Sequence, residues 1–138
     1  MTQSILLNPQ WVLGFIDAEG CFHVAIQNNA SMRLSVQVQL QFSVGQHMQD
    51  KVLMERFIPF FNGVGQVTKS GGSMYQYRIR GMDDLEHTLF PFLEVHPLVS
   101  KKSIDYANFQ LVHGMMRQGL HLMRIRHVQS QMNRQRSK

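Results

Sequence analysis

Val12-Leu13-Gly14-Phe15-Ile16-Asp17-Ala18-Glu19-Gly20 is the stretch on which the reading of this chain turns. It is mostly apolar, yet it ends in a carboxylate one residue before a glycine. Asn8 is a good N-cap and Pro9 suits a first helical turn, so a helix is predicted to begin here. Trp11, Val12, Phe15 and Ile16 give it apolar surface nearly all round, the mark of a buried helix. Gly14 and Ala18 are four apart and share one face. Small residues at that spacing let a second helix approach backbone to backbone. Gly20 suits a left-handed C-cap. Glu19 then falls at the helix C-terminus, where the macrodipole disfavours an anion by roughly 0.3–1 kcal/mol. A bound cation would hold a carboxylate there, and two such helices would set two carboxylates side by side.

The segment behind the helix alternates. Phe22, Val24 and Ile26 point one way, His23, Ala25 and Gln27 the other. After a turn around Asn28-Asn29, Leu34, Val36, Val38, Leu40, Phe42 and Val44 form one face. Arg33, Ser35, Gln37, Gln39, Gln41 and Ser43 form the opposite face. Period-two patterning over this length predicts a half-buried strand. Its polar side is a row of amides and hydroxyls, which both donate and accept hydrogen bonds. Gln can pair bidentately with adenine and Arg with guanine in a major groove. Twelve residues at roughly 3.3 Å each span about 40 Å, the length of about ten or eleven base pairs.

A helix is predicted next, roughly Gln46 to Phe61, with Met48, Val52, Phe57 and Phe61 on its apolar side and Pro59 shortening its end. Asn62-Gly63 stops it. A second hairpin follows: Val64 to Ser70, a Gly71-Gly72 turn, and Met74 to Arg80. Gln66, Thr68 and Ser70, then Gln76, Arg78 and Arg80, continue the polar face, while Tyr75, Tyr77 and Ile79 turn to the core. Lys69 lies off that alternation near the turn and suits a phosphate. Asp83 or Asp84 opens a helix to about Glu94, which Pro91 bends or breaks. Pro97-Leu98-Val99-Ser100-Lys101-Lys102 leads into another helix through Ile104, Phe109, Leu111 and Met115. A weakly patterned helix is predicted within 121–136.

Composition bounds the answer separately. The chain has 138 residues and a formal charge of +5, enough for one domain with an adequate core. We read a single domain over 1–138, with a core at about 5–118 and a basic tail at 119–138. Up to residue 105 there are eight Lys/Arg against nine Asp/Glu; beyond it there are six Arg/Lys and no acid. That uneven basic charge is the footprint of a polyanion partner. No apolar run suits a membrane span, no targeting peptide is seen, and one cysteine forms no internal disulfide. Seven His residues show no close ligand spacing, so no zinc site is expected.

Val12 to Gly20 resembles the LAGLIDADG motif of homing endonucleases. Gly14, Ile16, Asp17, Ala18 and Gly20 match it, and Phe15 and Glu19 are common variants. The motif occurs once, and single-motif members look like homodimers. The resemblance extends over the strand pattern and the Lys pair near residue 101. It implies an α+β, αββαββα homing-endonuclease fold: a four-stranded antiparallel saddle backed by helices, with a C-terminal helical extension. The four polar strand faces would then read double-stranded DNA.

By that resemblance the protein is a site-specific, intron-encoded DNA endonuclease acting as a homodimer on a long pseudo-palindromic target. The seam would use Val12, Gly14, Phe15 and Ala18, bringing both Glu19 side chains beneath the DNA centre. Two carboxylates so close would repel unless a cation intervened. Mg²⁺ takes carboxylate, phosphate and water oxygens together, and Mn²⁺ or Ca²⁺ could occupy the same place. The main-chain carbonyls of Ala18 or Gly20 would complete the shell, and no small-molecule cofactor is implied. Such a pair clamps an attacking water and a leaving oxygen. The family pattern places Lys101 near the reacting phosphate, with Lys102 as the fallback, and Gln46 as an organiser of water. A further basic position falls near Asp50 or Lys51, and Asp50 is acidic. The resemblance also implies an intron in organellar or microbial DNA, with chloroplast or mitochondrion as candidate compartments. The competing readings are an RNA-splicing maturase, a catalytically inactive DNA-binding protein of the same fold, and a basic structural protein with a helical seam. Retention of an acid at Glu19 argues against the inactive form.

Overall fold

The computed structural model describes residues 6–28, 36–119 and 122–132. Helix α1 (Pro9–Glu19) leads directly into β1 (Gly20–Asn28), which pairs antiparallel with β2 (Val36–Met48). Two short helices, α2 (Lys51–Glu55) and α3 (Phe57–Phe60), precede the hairpin β3 (Gln66–Gly71) and β4 (Met74–Ile79). The chain then runs through α4 (Met82–Asp84), a π-helical turn at Leu85–Leu89 and α5 (Phe90–Val95) to the long α6 (Lys102–Gln118) and α7 (Leu122–Gln131). The strands form one antiparallel sheet in the order β1-β2-β4-β3.

One sheet face and the helices share the core. Phe22, Val24, Leu40, Phe42, Val44, Tyr77 and Ile79 are buried beneath Val12 and Ile16 of α1, Phe57 of α3, Leu89 and Leu93 of the 82–95 segment, and Phe109 of α6. Aromatic rings knit this layer: Phe22 lies 5.4 Å from Phe42 and 5.3 Å from Phe109, and Phe57 stacks on Tyr77 at 5.4 Å. The predicted basic tail contributes too. Ile125, Val128 and Met132 of its helical end are buried, and Gln129 Nε2 donates to Val24 O at 2.9 Å. No described helix is long and apolar enough to cross a membrane.

The structure departs from the sequence reading at Gln46 and at Gly20, and it adds detail at Gly45 and on α6. Gln46 does not open a helix; it lies inside β2, and the helical segments begin at Lys51. Gly45, at φ +84°, makes a bulge between Val44 and Met48 that breaks the alternation while the strand continues. Glycine suits that left-handed backbone, and a Cβ there would also displace the Met54 thioether, whose Sδ would lie 2.2 Å away. Gly20 is extended, at φ −73°, rather than left-handed. Its missing side chain is needed for a different reason: a Cβ would sit 2.6 Å from Ile16 O. On α6, Ile104 and Leu111 are 43% and 49% exposed, whereas Asp105, Phe109, Val112 and His113 face inward. That inward set is itself a helical stripe, spaced four, three and one, disguised by two polar members. Arg33, Ser35, Leu34 and the Gln27 side chain lie outside the described residues.

Candidate active site and nucleic-acid interface

The candidate site lies where α1 ends. Asn8 Oδ1 accepts from Gln10 N at 2.8 Å and Trp11 N at 3.3 Å, which fixes the start of the helix with Pro9 in its first turn. Eleven residues later Glu19 emerges, exposed, at the helix C-terminus. Gly20 N donates to Ile16 O, and Gly20 stands opposite Val44 in the sheet. The tight Gly20 approach therefore locks the Glu19 backbone to the mouth of the polar sheet face.

Asp17, two residues earlier, reaches the segment before α6. Its carboxylate accepts from Val99 N at 2.8 Å, Ser100 N at 2.9 Å and Ser100 Oγ at 2.5 Å. Ser100 Oγ also lies 3.3 Å from Asp17 O and 3.2 Å from Lys102 N. Partial burial pushes the Asp17 carboxyl upward. The Ser100 hydroxyl, the Ser100 and Val99 amides and the Lys102 charge outweigh it and hold the group below the usual carboxylate range.

The two lysines diverge from this point. Lys101 is the exposed N-cap residue of α6. Lys102 is half-buried, and its Nζ is 3.5 Å from Ala18 O. An ammonium at the α1 C-terminus meets the negative end of that helix dipole, whereas at the start of α6 it opposes the dipole. Lys102, the fallback in the sequence reading, is thus the lysine that reaches the C-terminal end of α1, at the carbonyl of the residue before Glu19. Gln46 is exposed in β2, two residues beyond the partner of Gly20, and its carbonyl accepts from Ser70 Oγ. Asp50 is occupied as the N-cap of α2, accepting from Leu53 N at 2.9 Å. Lys51 pairs with Glu55 at 3.9 Å and lies over the Tyr75 ring.

Beyond Glu19 the polar face is built strand by strand. Cys21 pairs with Ser43, Ser43 with Arg78, and Arg78 with Gln66, so one row crosses all four strands. Next to it His23 opposes Gln41, and Arg80 Nε donates to Gln41 Oε1 at 2.8 Å. Ala25 opposes Gln39, Gln27 opposes Gln37, and Thr68 opposes Gln76. None of Lys69, Arg78 and Arg80 forms an ion pair among the described residues. Partial burial, then the Arg80 charge, lowers the Arg78 pKa. Arg78 Nε and Thr68 Oγ1 are buried without a partner. A face that concentrates cations without ion-pair partners suits an anionic partner.

The outward side of α1 carries Trp11, 42% exposed, with Gly14 and Ala18 also exposed at the three-and-four spacing. A Cβ on Gly14 would meet nothing within 4 Å. Phe15 is half-buried against Trp11 and Phe57. Val12 corrects the expected seam: it is wholly buried in this chain's own core and has no surface for a partner. Val12 and Ile16 lie four apart on the inner side of α1, away from Gly14 and Ala18.

Comparison with known proteins places this architecture. The family profile described as LAGLIDADG endonuclease matches residues 12–113. The chain is 33% identical over 120 residues to a "Probable intron-encoded endonuclease 3" of Neurospora crassa, covering 86% of this chain and 22% of that protein. It superposes on a crystal structure of the homing endonuclease I-TnaI with a TM-score of 0.85 and 36% identity, over 94% of this chain and 90% of the other. It also matches I-SmaMI bound to an uncleaved DNA target in the presence of calcium ions, at a TM-score of 0.76 and 37% identity, over 82% and 38% of the two chains. The chain belongs to the LAGLIDADG homing-endonuclease family, with that family's α+β fold. It spans between about a fifth and somewhat over a third of the length of the curated relatives it matches.

Proposed function

We propose that the chain is one catalytic unit of a site-specific DNA endonuclease, and that two copies assemble through α1 to cut both strands of a long target. The observation that carries this reading is the Lys102 ammonium 3.5 Å from the Ala18 carbonyl, one residue before the exposed Glu19, where α1 runs into the sheet. The family supplies the reaction class, and the DNA-bound I-SmaMI neighbour supplies the kind of partner.

No cluster of three or more His, Cys, Asp or Glu exists among the described residues. One exposed carboxylate and adjacent backbone carbonyls are hard oxygen donors. They fit Mg²⁺, which completes its shell with phosphate and water; Mn²⁺ and Ca²⁺ fit less selectively. Glu19, with Ala18 O or Gly20 O, would hold it, and a second copy's Glu19 would add charge. When bound, the metal supplies Lewis-acid stabilisation of the phosphate and of the attacking water.

The chain's own residues do the rest. Glu19 accepts a hydrogen bond from the attacking water and orients it. Lys102, rather than Lys101, presents its ammonium where charge develops on the phosphate oxygens. Gln46 is placed to hydrogen-bond water at the same end of the sheet. Gln37, Gln39, Gln41, Gln66, Gln76, Arg78 and Arg80 contact base edges, while Thr68, Lys69 and Ser70 suit the backbone. In the sequence, Gln27, Arg33 and Ser35 fall on the same alternation. An intron-bearing organellar compartment, mitochondrion or chloroplast, is consistent with relatives named as intron-encoded.

A cleavage screen of the purified protein against a randomised duplex library, with and without Mg²⁺, tests the reading. One long sequence cut on both strands only with metal is the expected result. Binding without cleavage under every metal condition selects the inactive DNA-binding protein, and preference for structured RNA selects the maturase.

A further inference from the structure

Asp17 is neither at the outward seam nor at the exposed end of α1, yet it makes a dense set of contacts. Its carboxylate receives two backbone amides and a hydroxyl from Val99 and Ser100, more than 80 residues away in sequence. The N-cap residue of α6, Lys101, makes no side-chain cap bond; the Ser100 hydroxyl instead accepts from Lys102 N in the first turn. The Asp17 carboxylate holds that hydroxyl and the two amides just ahead of the helix, near its positive end. Ser100 Oγ, held by Asp17, lies 3.2 Å from Lys102 N, and Lys102 Nζ lies 3.5 Å from the carbonyl of Ala18, the next residue after Asp17. The contacts form a closed loop: Asp17 to Ser100, Ser100 to the Lys102 backbone, and the Lys102 side chain back to Ala18.

We propose that Asp17 is a positioning residue for the cleavage reaction, acting through Ser100 to fix the start of α6 so that the Lys102 ammonium lies at the end of α1 that carries Glu19. The proposal rests on the reading of Lys102 given above. Removing the clamp leaves Lys102 present but lets its ammonium wander from the phosphate, and misplacement by about 1 Å is enough to slow such a step about a hundredfold.

The test is a double-mutant cycle on the full-length protein, using the target found in the library screen. Single-turnover cleavage in Mg²⁺ and DNA affinity in Ca²⁺ are measured for Asp17→Asn, Ser100→Ala, Ser100→Thr, Lys102→Ala and Asp17→Asn/Lys102→Ala. Lys102→Ala should slow cleavage by about 10²–10³-fold. Asp17→Asn and Ser100→Ala should each slow it roughly tenfold to a hundredfold with affinity unchanged. Ser100→Thr, which keeps the hydroxyl, should restore the rate. In the Lys102→Ala background, Asp17→Asn should cost nothing further, a coupling that a purely structural staple does not produce. If Asp17→Asn fails to fold, the Ser100 variants, each combined with Lys102→Ala, complete the same cycle. Penalties that multiply independently, or full activity in both Asp17→Asn and Ser100→Ala, overturn the positioning role. Undiminished cleavage by Lys102→Ala overturns the assignment of Lys102 instead, and the clamp with it.

Discussion

Gly14 and Gly20, six residues apart in one motif, are glycine for different reasons. At Gly20 a Cβ would collide with the Ile16 carbonyl at 2.6 Å and its Cγ2 at 3.0 Å. At Gly14 it would enter open space. Gly20→Ala should therefore destabilise the folded chain by about 1–3 kcal/mol, the usual penalty of overpacking a rigid site. Gly14→Ala should leave the fold of a single chain intact. Urea denaturation of both variants checks this, and equal losses would contradict it. The same scale explains what the sequence conceals about the lysines. Lys101 and Lys102 are adjacent and chemically identical, and only the contact of Lys102 with Ala18, 84 residues away, separates them.

Arg80 of the polar face illustrates how elements, rather than residues, set recognition. It lies just past β4 and donates to Gln41 on β2, so the two act as one unit. With Nε committed, Arg80 would keep its terminal nitrogens for a guanine edge in the proposed DNA complex. Gln41, its carbonyl already engaged, presents its amide hydrogens. Arg80→Ala should lose discrimination of about 1–3 kcal/mol confined to one or two target positions, read from binding profiles of a randomised duplex. Uniform weakening across the whole target would instead mark Arg80 as a phosphate contact.

Most of these elements were legible in the chain. Asn8, Pro9 and the apolar spacing announced α1, and alternation from Phe22 to Val44 announced the first hairpin. What stayed hidden lay where a local pattern changes meaning. Gly45 bulges β2, so Gln46 to Met48 resemble a helix start while remaining strand. Pro91 was a visible breaker, but the chain widens into a π turn ahead of it, at Leu85–Leu89, instead of ending the helix. Asp105 and His113 masked the inner stripe of α6.

For the whole molecule, the proposed assembly would join two copies along the outward stripe of α1 and stretch their polar faces over a duplex. Gly14→Leu should prevent that approach while sparing the monomer fold. Analytical ultracentrifugation should then show a monomer where the unaltered chain sediments as a dimer; an undisturbed dimer would refute the seam. The central claim is narrower: Glu19 is the carboxylate through which the metal-dependent cut is made. Single-turnover cleavage by Glu19→Gln, on the selected target in Mg²⁺, tests it most directly alongside binding in Ca²⁺. The account predicts unchanged affinity with cleavage reduced at least about a thousandfold; a variant that binds and still cuts both strands at the unaltered rate would contradict it.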